Sequence, residues 1–186
     1  KVDDQEQLIA PAAVATEALD PVTGKLLWTA RTGGMNASGR PLYGNGLIFI
    51  NNGMGSLGAI PAVGGVEREA KWSTRRNIPK KGSLLLKGEH LYMVADNGVA
   101  SCLVAATGEV LWSERLNAGE FAASPILCQD RIYCFSLSGK CVVLAASPME
   151  FEVLARGEFE DGFMATPAVT GNALILRTKS AVYRVE

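Results

Sequence analysis

The sequence predicts an all-β fold of four-stranded antiparallel meanders, about four β-propeller blades that are part of a larger ring. Three observations predict it. Leu47, Leu91, Ile132 and Leu174 occupy equivalent places in successive units spaced by 44, 41 and 42 residues, and a period near 40 residues with four short apolar stretches is that of a propeller blade. Trp28, Trp72 and Trp112, with Leu154 in a weaker fourth place, recur at intervals of 44, 40 and 42 residues, so a second marker has the same period. Asn52-Gly53, Asn97-Gly98 and Ser138-Gly139 separate apolar runs of strand length, and Gly or Asn supplies the positive φ that tight hairpins require. Helical repeats of similar length would instead place apolar residues at i, i+3 and i+4.

Composition narrows the function classes. The 186 residues are 48% hydrophobic and 20% charged, enough apolar material for a packed core. Eighteen basic and 19 acidic side chains leave a net charge of -1, which lacks the positive field that drives binding to nucleic acid or anionic lipid. No apolar run reaches the roughly 18 to 20 residues of a membrane span. A single histidine, His90, excludes a multi-histidine metal site. Lys1 opens the chain without a charged and apolar leader pattern, so any targeting segment is expected to have been removed.

The chain reads as one domain, 1–186, with units near 15–34, 40–77, 78–119, 120–159 and 160–186. Lys1 to Gln7 is polar and expected to fray. Val14 to Leu19 and Lys25 to Ala30 read as the third and fourth strands of a first blade. Complete units open at Pro41, Ser83 and Ser124-Pro125, and a last unit opens at Thr166-Pro167 and ends on a third strand, Ala181 to Glu186. The second unit carries Val63-Gly64-Gly65 and extra residues before Trp72, and the fourth carries Ser147-Pro148-Met149; both should have altered outer edges. Lys25 to Ala30 could pair with Ala181 to Glu186 within one chain, or between two chains to close a ring of about eight blades. The expectation favours an open array or the two-chain ring, because blades of large rings suit shallow angular steps.

Ala18-Leu19-Asp20-Pro21-Val22-Thr23-Gly24-Lys25-Leu26-Leu27-Trp28 and Leu103-Val104-Ala105-Ala106-Thr107-Gly108-Glu109-Val110-Leu111-Trp112 resemble the repeat of the quinoprotein (pyrroloquinoline quinone, PQQ-like) β-propellers, Ala-x-Asp-x-x-Thr-Gly-x-x-Leu-Trp. The first segment fits throughout; the second has Val104 and Ala105 before an intact Thr-Gly-x-x-Leu-Trp. The resemblance covers roughly residues 15 to 186. It implies that Thr-Gly turns the chain between third and fourth strands and that the three tryptophans lie largely buried between blades.

The resemblance further implies a non-catalytic module for protein interaction or ligand binding, similar to extracytoplasmic repeat proteins of bacteria, with a protein or carbohydrate partner. The alternative is a fragment or degenerate copy of a quinone-dependent alcohol or sugar dehydrogenase, which would need PQQ, Ca²⁺, a vicinal cysteine pair and an Asp base. Cys102, Cys128, Cys134 and Cys141 are not adjacent, and no compact Asp, Glu and Asn cluster stands out. The expectation leans away from an enzyme, assigns no catalytic or metal-binding residue, and finds no cofactor evident.

Four further features are candidates. With Ser138-Gly139 as a two-residue turn, Cys134 falls opposite Val143 and Cys141 opposite Ser136, sharing a face diagonally at roughly 7 to 8 Å, too far for an unstrained disulfide. Cys128 falls on the other face, Cys102 in another blade, and all four read as small core residues. His90 reads as a solvated turn residue entering a strand. Arg75-Arg76-Asn77-Ile78-Pro79-Lys80-Lys81 concentrates positive charge between blades, where it is a solvated loop or a seat for an acidic partner or anionic sugar. Glu158-Phe159-Glu160-Asp161-Gly162-Phe163 reads as the polar side of a blade connection rather than an acid/base pair.

Overall fold

The computed structural model describes residues 1–2, 4–35 and 37–186, and all of its regular elements are β-strands. They form five sheets in chain order. The first contains β1 (Leu8–Pro11), β2 (Ala15–Leu19) and β3 (Leu26–Arg31); the second contains β4 (Leu42–Gly44), β5 (Leu47–Asn51), β6 (Leu57–Pro61) and β8 (Trp72–Thr74). Between β6 and β8, β7 (Glu67–Arg68) crosses back and pairs parallel with β3, giving the first sheet a fourth strand. The third sheet is β9 (Leu85–Lys87), β10 (His90–Val94), β11 (Val99–Val104) and β12 (Val110–Arg115). The fourth is β13 (Ile126–Cys128), β14 (Arg131–Phe135), β15 (Lys140–Ala145) and β16 (Val153–Glu158). The fifth has three strands, β17 (Ala168–Thr170), β18 (Ala173–Arg177) and β19 (Val182–Val185). Antiparallel neighbours joined by short turns make each sheet a meander.

Alternation sends successive side chains to opposite faces of a sheet, so each inner sheet feeds two cores. Ala18, Trp28 and Ala30 pack against Ile48, Ile50 and Ile60 at the first junction. Phe49, Leu57 and Ala59 meet Leu84, Leu91 and Leu103 at the second. Tyr92, Ala100 and Cys102 meet Ile132, Val142 and Leu144 at the third, and Phe135 meets Phe163 and Leu176 at the fourth. Five sheets joined through four cores are propeller blades.

A hydroxyl ladder ties the inner strands together. The amide of Arg40 donates to Ser83 Oγ at 3.0 Å, that of Ser83 to Ser124 Oγ at 2.9 Å, and that of Ser124 to Thr166 Oγ1 at 3.3 Å. The Ser or Thr that opens each unit therefore serves the preceding blade.

Several expectations are corrected. Within the segment expected to fray, Val2 is buried in the first junction, and Gln7 Oε1 accepts the Trp28 indole N-H at 2.9 Å. A strand the sequence reading missed, β1, precedes the third-strand segment. Trp28 is buried as expected, but Trp72 and Trp112 are only half-buried because they stand on outer strands at the rim. Leu154 does not take the tryptophan place. Cys102 pairs with Trp112 and Leu103 with Val110 across a bulge, while Val143 pairs with Ala155 and Leu144 with Val153. Ala155 thus stands where Trp112 stands, and Leu154 is the bulged residue, like Leu111. The register also moves the cysteines: Leu137-Ser138-Gly139 spans the hairpin between Ser136 and Lys140, so Cys134 opposes Val142 and Cys141 opposes Phe135. One extra turn residue puts the two thiols on opposite faces. Finally, β19 is a sheet edge, in line with the expectation against closure within the chain, but β7 occupies the edge of β3 through which Lys25 to Ala30 was to meet Ala181 to Glu186 of a second chain.

Candidate functional site

The basic run forms the β8–β9 connection, and its backbone is fixed from two sides. Asn51 Nδ2 donates to the buried Pro79 carbonyl at 2.7 Å, and the Lys80 amide donates to Asp96 Oδ1 at 2.7 Å. Lys81 Nζ lies 3.7 Å from Asp96 Oδ2. Asn77 adopts a left-handed φ of 51° and donates from Nδ2 to Ser113 Oγ, a conformation its short polar side chain tolerates. The fixed connection turns the exposed Arg75 and Lys80 toward a cleft of about 580 Å³, where Arg75, Lys80 and Lys81 meet Ile78, Phe121, Leu137, Asp96 and Glu120. Among the described residues Arg75, Arg76 and Lys80 have no ion pair. The cleft can therefore hold a partner that offers carboxylates beside apolar groups.

The opposite wall is equally fixed. The Phe121 amide donates to the Asp96 carbonyl at 2.9 Å, and the Leu137 amide to the Glu120 carbonyl at 2.8 Å, so the second, third and fourth blades contribute to one surface. The basic wall was a candidate from sequence; the opposite wall was not, because Asp96 and Glu120 are isolated acids whose convergence depends on blade stacking.

The acidic stretch is elsewhere and is structural. Phe159 packs edge-on against Phe163 at 5.1 Å and Tyr183 at 5.2 Å, Phe163 meets Phe135 at a tilt of 58° and 5.0 Å, and Asp161 accepts from the Ser180 hydroxyl. The aromatics fill the fourth junction while the carboxylates face out. His90 is the half-buried first residue of β10, paired with Val104, rather than a solvated turn residue.

A quinone and calcium site does not fit the side chains present. All four thiols are free, Cys102 and Cys134 are buried in the third junction, and Cys141 faces the fourth. Burial pushes the Cys102 thiol up to about 11, partly offset by its hydrogen bond with Tyr92, and the Cys134 thiol up to about 12. Such thiols are protonated core residues, not nucleophiles. Among the described residues no three His, Cys, Asp or Glu side chains converge as metal ligands.

The repeat motif has a defined geometry. Asp20 Oδ1 accepts the Val22 and Thr23 amides and the Thr23 hydroxyl at 2.7 to 3.0 Å, and the Thr23 bonds hold its carboxyl below its ordinary value. Trp72 of the second blade lies over Gly108 of the third, where a Cβ would sit 2.6 Å from the indole, and its Nε1-H donates to Ala105 O at 2.9 Å. Trp112 likewise donates to Ser147 O of the fourth blade at 3.0 Å. At the first junction Arg68, carried in by β7, stacks 4.5 Å above Trp28 and donates to the Pro61 and Ala62 carbonyls.

The comparisons agree with this geometry. A protein of Yersinia pestis described as outer membrane protein assembly factor BamB is 23% identical over 145 residues, 68% of this chain and 35% of its own. The crystal structure of BamB from Moraxella catarrhalis superposes with a TM-score of 0.70 at 15% identity, covering 93% of this chain and 55% of that one. The computationally designed Ika8 protein gives 0.75 at 12% identity, covering 96% and 54%. The chain thus spans between about a third and just over half the length of the proteins it resembles. No helix among the described residues is long and apolar enough to cross a membrane. With residues 12–149 matching the profile of the family described as outer membrane protein assembly factor BamB, this chain of PQQ-like repeats belongs to that family.

Proposed function

We infer that the chain is a non-catalytic β-propeller module that binds a protein partner in an extracytoplasmic assembly. The observation that carries this reading is the cleft beneath the β8–β9 connection, where cations without ion pairs stand beside apolar side chains on a backbone fixed by Asn51 and Asp96. Rigid loops over a stacked scaffold suit recognition, since little ordering cost remains at binding. The family's assembly factors of the outer membrane support the extracytoplasmic setting.

The partner chemistry that fits is an acidic segment with interspersed apolar residues; a uronate-type sugar is the competing ligand. A photo-crosslinker at position 97, on the same cleft, should trap a protein in intact cells of the source organism, and reversing Arg75 and Lys80 to Glu should reduce that product at least about tenfold. A crosslinker at Asn45, on another turn, should not trap it. Unchanged trapping after the reversal, or equal trapping from position 45, would contradict the assignment. Saturable binding of PQQ with Ca²⁺ and alcohol-oxidising activity would favour a dehydrogenase instead.

A further inference from the structure

The chain contains three Asn-Gly pairs, Asn45-Gly46, Asn52-Gly53 and Asn97-Gly98, and the fold treats them differently. In such a pair the glycine amide nitrogen can attack the asparagine side-chain carbonyl carbon, because no Cβ on the glycine blocks the approach. The reaction needs water, a nitrogen free of other bonds, and room for the ring that forms.

Asn52 is buried, its Nδ2 donates to Thr32 Oγ1 at 3.1 Å and to the Gly33 carbonyl, and the Gly53 amide donates to Asn51 Oδ1 at 3.3 Å. Asn97 is exposed, but the amide of buried Gly98 donates to the Ala95 carbonyl at 2.9 Å, and Asn97 Oδ1 accepts the Val99 amide at 3.3 Å. Both glycine nitrogens are occupied. Asn45-Gly46 is the two-residue loop between β4 and β5, flanked by the Gly44–Leu47 pair, with φ of 55° and 69°, the values of a type I′ hairpin turn. Both residues are exposed, nothing lies within 4 Å of the place where a Gly46 Cβ would stand, and the Gly46 amide makes no hydrogen bond to the described residues. Asn45 Nδ2 donates to the Gly88 carbonyl at 2.9 Å, tying the second blade to the third.

We propose that Asn45 is a self-modification site whose deamidation cuts this tie. The Gly46 nitrogen loses its proton to water and bonds Asn45 Cγ, the Cγ–Nδ2 bond breaks, and Nδ2 leaves as ammonia with a proton returned from water. One water then opens the five-membered imide at either carbonyl, leaving a carboxylate on the normal backbone or on one rerouted through the side chain. Either product lacks the donor and sets a negative charge near the Gly88 oxygen. The two turns belong to the second and third sheets, and the Asn45 turn lies at the opposite end of β5 from Gly53, which lines the cleft.

Peptide mapping by mass spectrometry of the full chain aged in mildly alkaline buffer should show conversion at position 45 at least about tenfold faster than at 52 or 97. In urea, where all three pairs lose their partners, the rates should converge to within about threefold. Asn45→Asp should lower the melting temperature by about 2 to 4 °C, the loss of one exposed interblade bond, and the fully aged chain should fall at least as far. Asn45→Gln, whose side chain closes the larger ring slowly, should keep its own melting temperature through ageing. Conversion at 52 or 97 as fast as at 45 in the folded chain, an order that persists in urea, or an aged chain that melts with the fresh one would overturn the proposal.

Discussion

Gly24 and Gly108 end the same Thr-Gly turn with nearly the same backbone, φ of 70° and 76°. They differ in what lies above them: open space over Gly24, the Trp72 indole over Gly108. Gly24→Ala should therefore cost about 1 kcal/mol for the left-handed backbone alone, whereas Gly108→Ala should cost about 2 kcal/mol more, because the Cβ displaces the indole. Urea titration of the two variants measures the difference; equal losses would remove the docking role from Gly108. The motif itself was legible in sequence, since Asp20 and Thr23 act within four residues. Its second use, as the seat for a neighbouring blade's tryptophan, joins residues 36 positions apart and has no local signature.

The thiols give a second prediction at this scale. Cys102 and Cys134 titrate in the fold at about 11 and about 12 against an ordinary value of 9.0, because burial penalises the thiolate. The folded state holds these protons more tightly, so their contribution is complete below pH 9 and is lost as pH rises from there through about 11 to 12. The slope is at most about 1.4 kcal/mol per pH unit for each thiol. Denaturant midpoints measured from pH 8 to 11 should fall, and a Cys102→Ala, Cys134→Ala chain should show a shallower fall.

At the scale of elements, β7 is the clearest departure from the repeat. The Val63-Gly64-Gly65 insertion was expected to alter an outer edge, and it does so on the preceding blade, by parallel pairing of Glu67 with Thr29. Arg68 then supplies at the first junction what an indole N-H supplies at the second: a donor to a buried-turn carbonyl, here Ala62, with a ring beneath it. Arg68→Met should cost about 2 to 3 kcal/mol from lost carbonyl bonds and the cation-π contact, and should shift Trp28 fluorescence. Arg68→Lys, which cannot form the fork, should recover less than half. Strand existence was readable from alternation and turn residues; register was not. A three-residue turn in place of two exchanges the faces of Cys134 and Cys141, and a one-residue bulge replaces Leu154 by Ala155 at the tryptophan place.

At the scale of the molecule, period fixed the number of units, but the basic run became a site only through stacking. Asn51 of the second blade and Asp96 of the third grip one connection, and Phe121 and Leu137 close the far side. Five sheets share four cores, and this stack fixes the connection carrying the site. Native-state amide hydrogen exchange tests it most directly. Exchange should be slowest in β5, β10, β11 and β14, which lie between two cores, and faster in β1 and β17 to β19, with the Lys80 amide protected well above that of exposed Arg76. Fast exchange throughout β10 and β11, or a Lys80 amide as labile as that of Arg76, would contradict it.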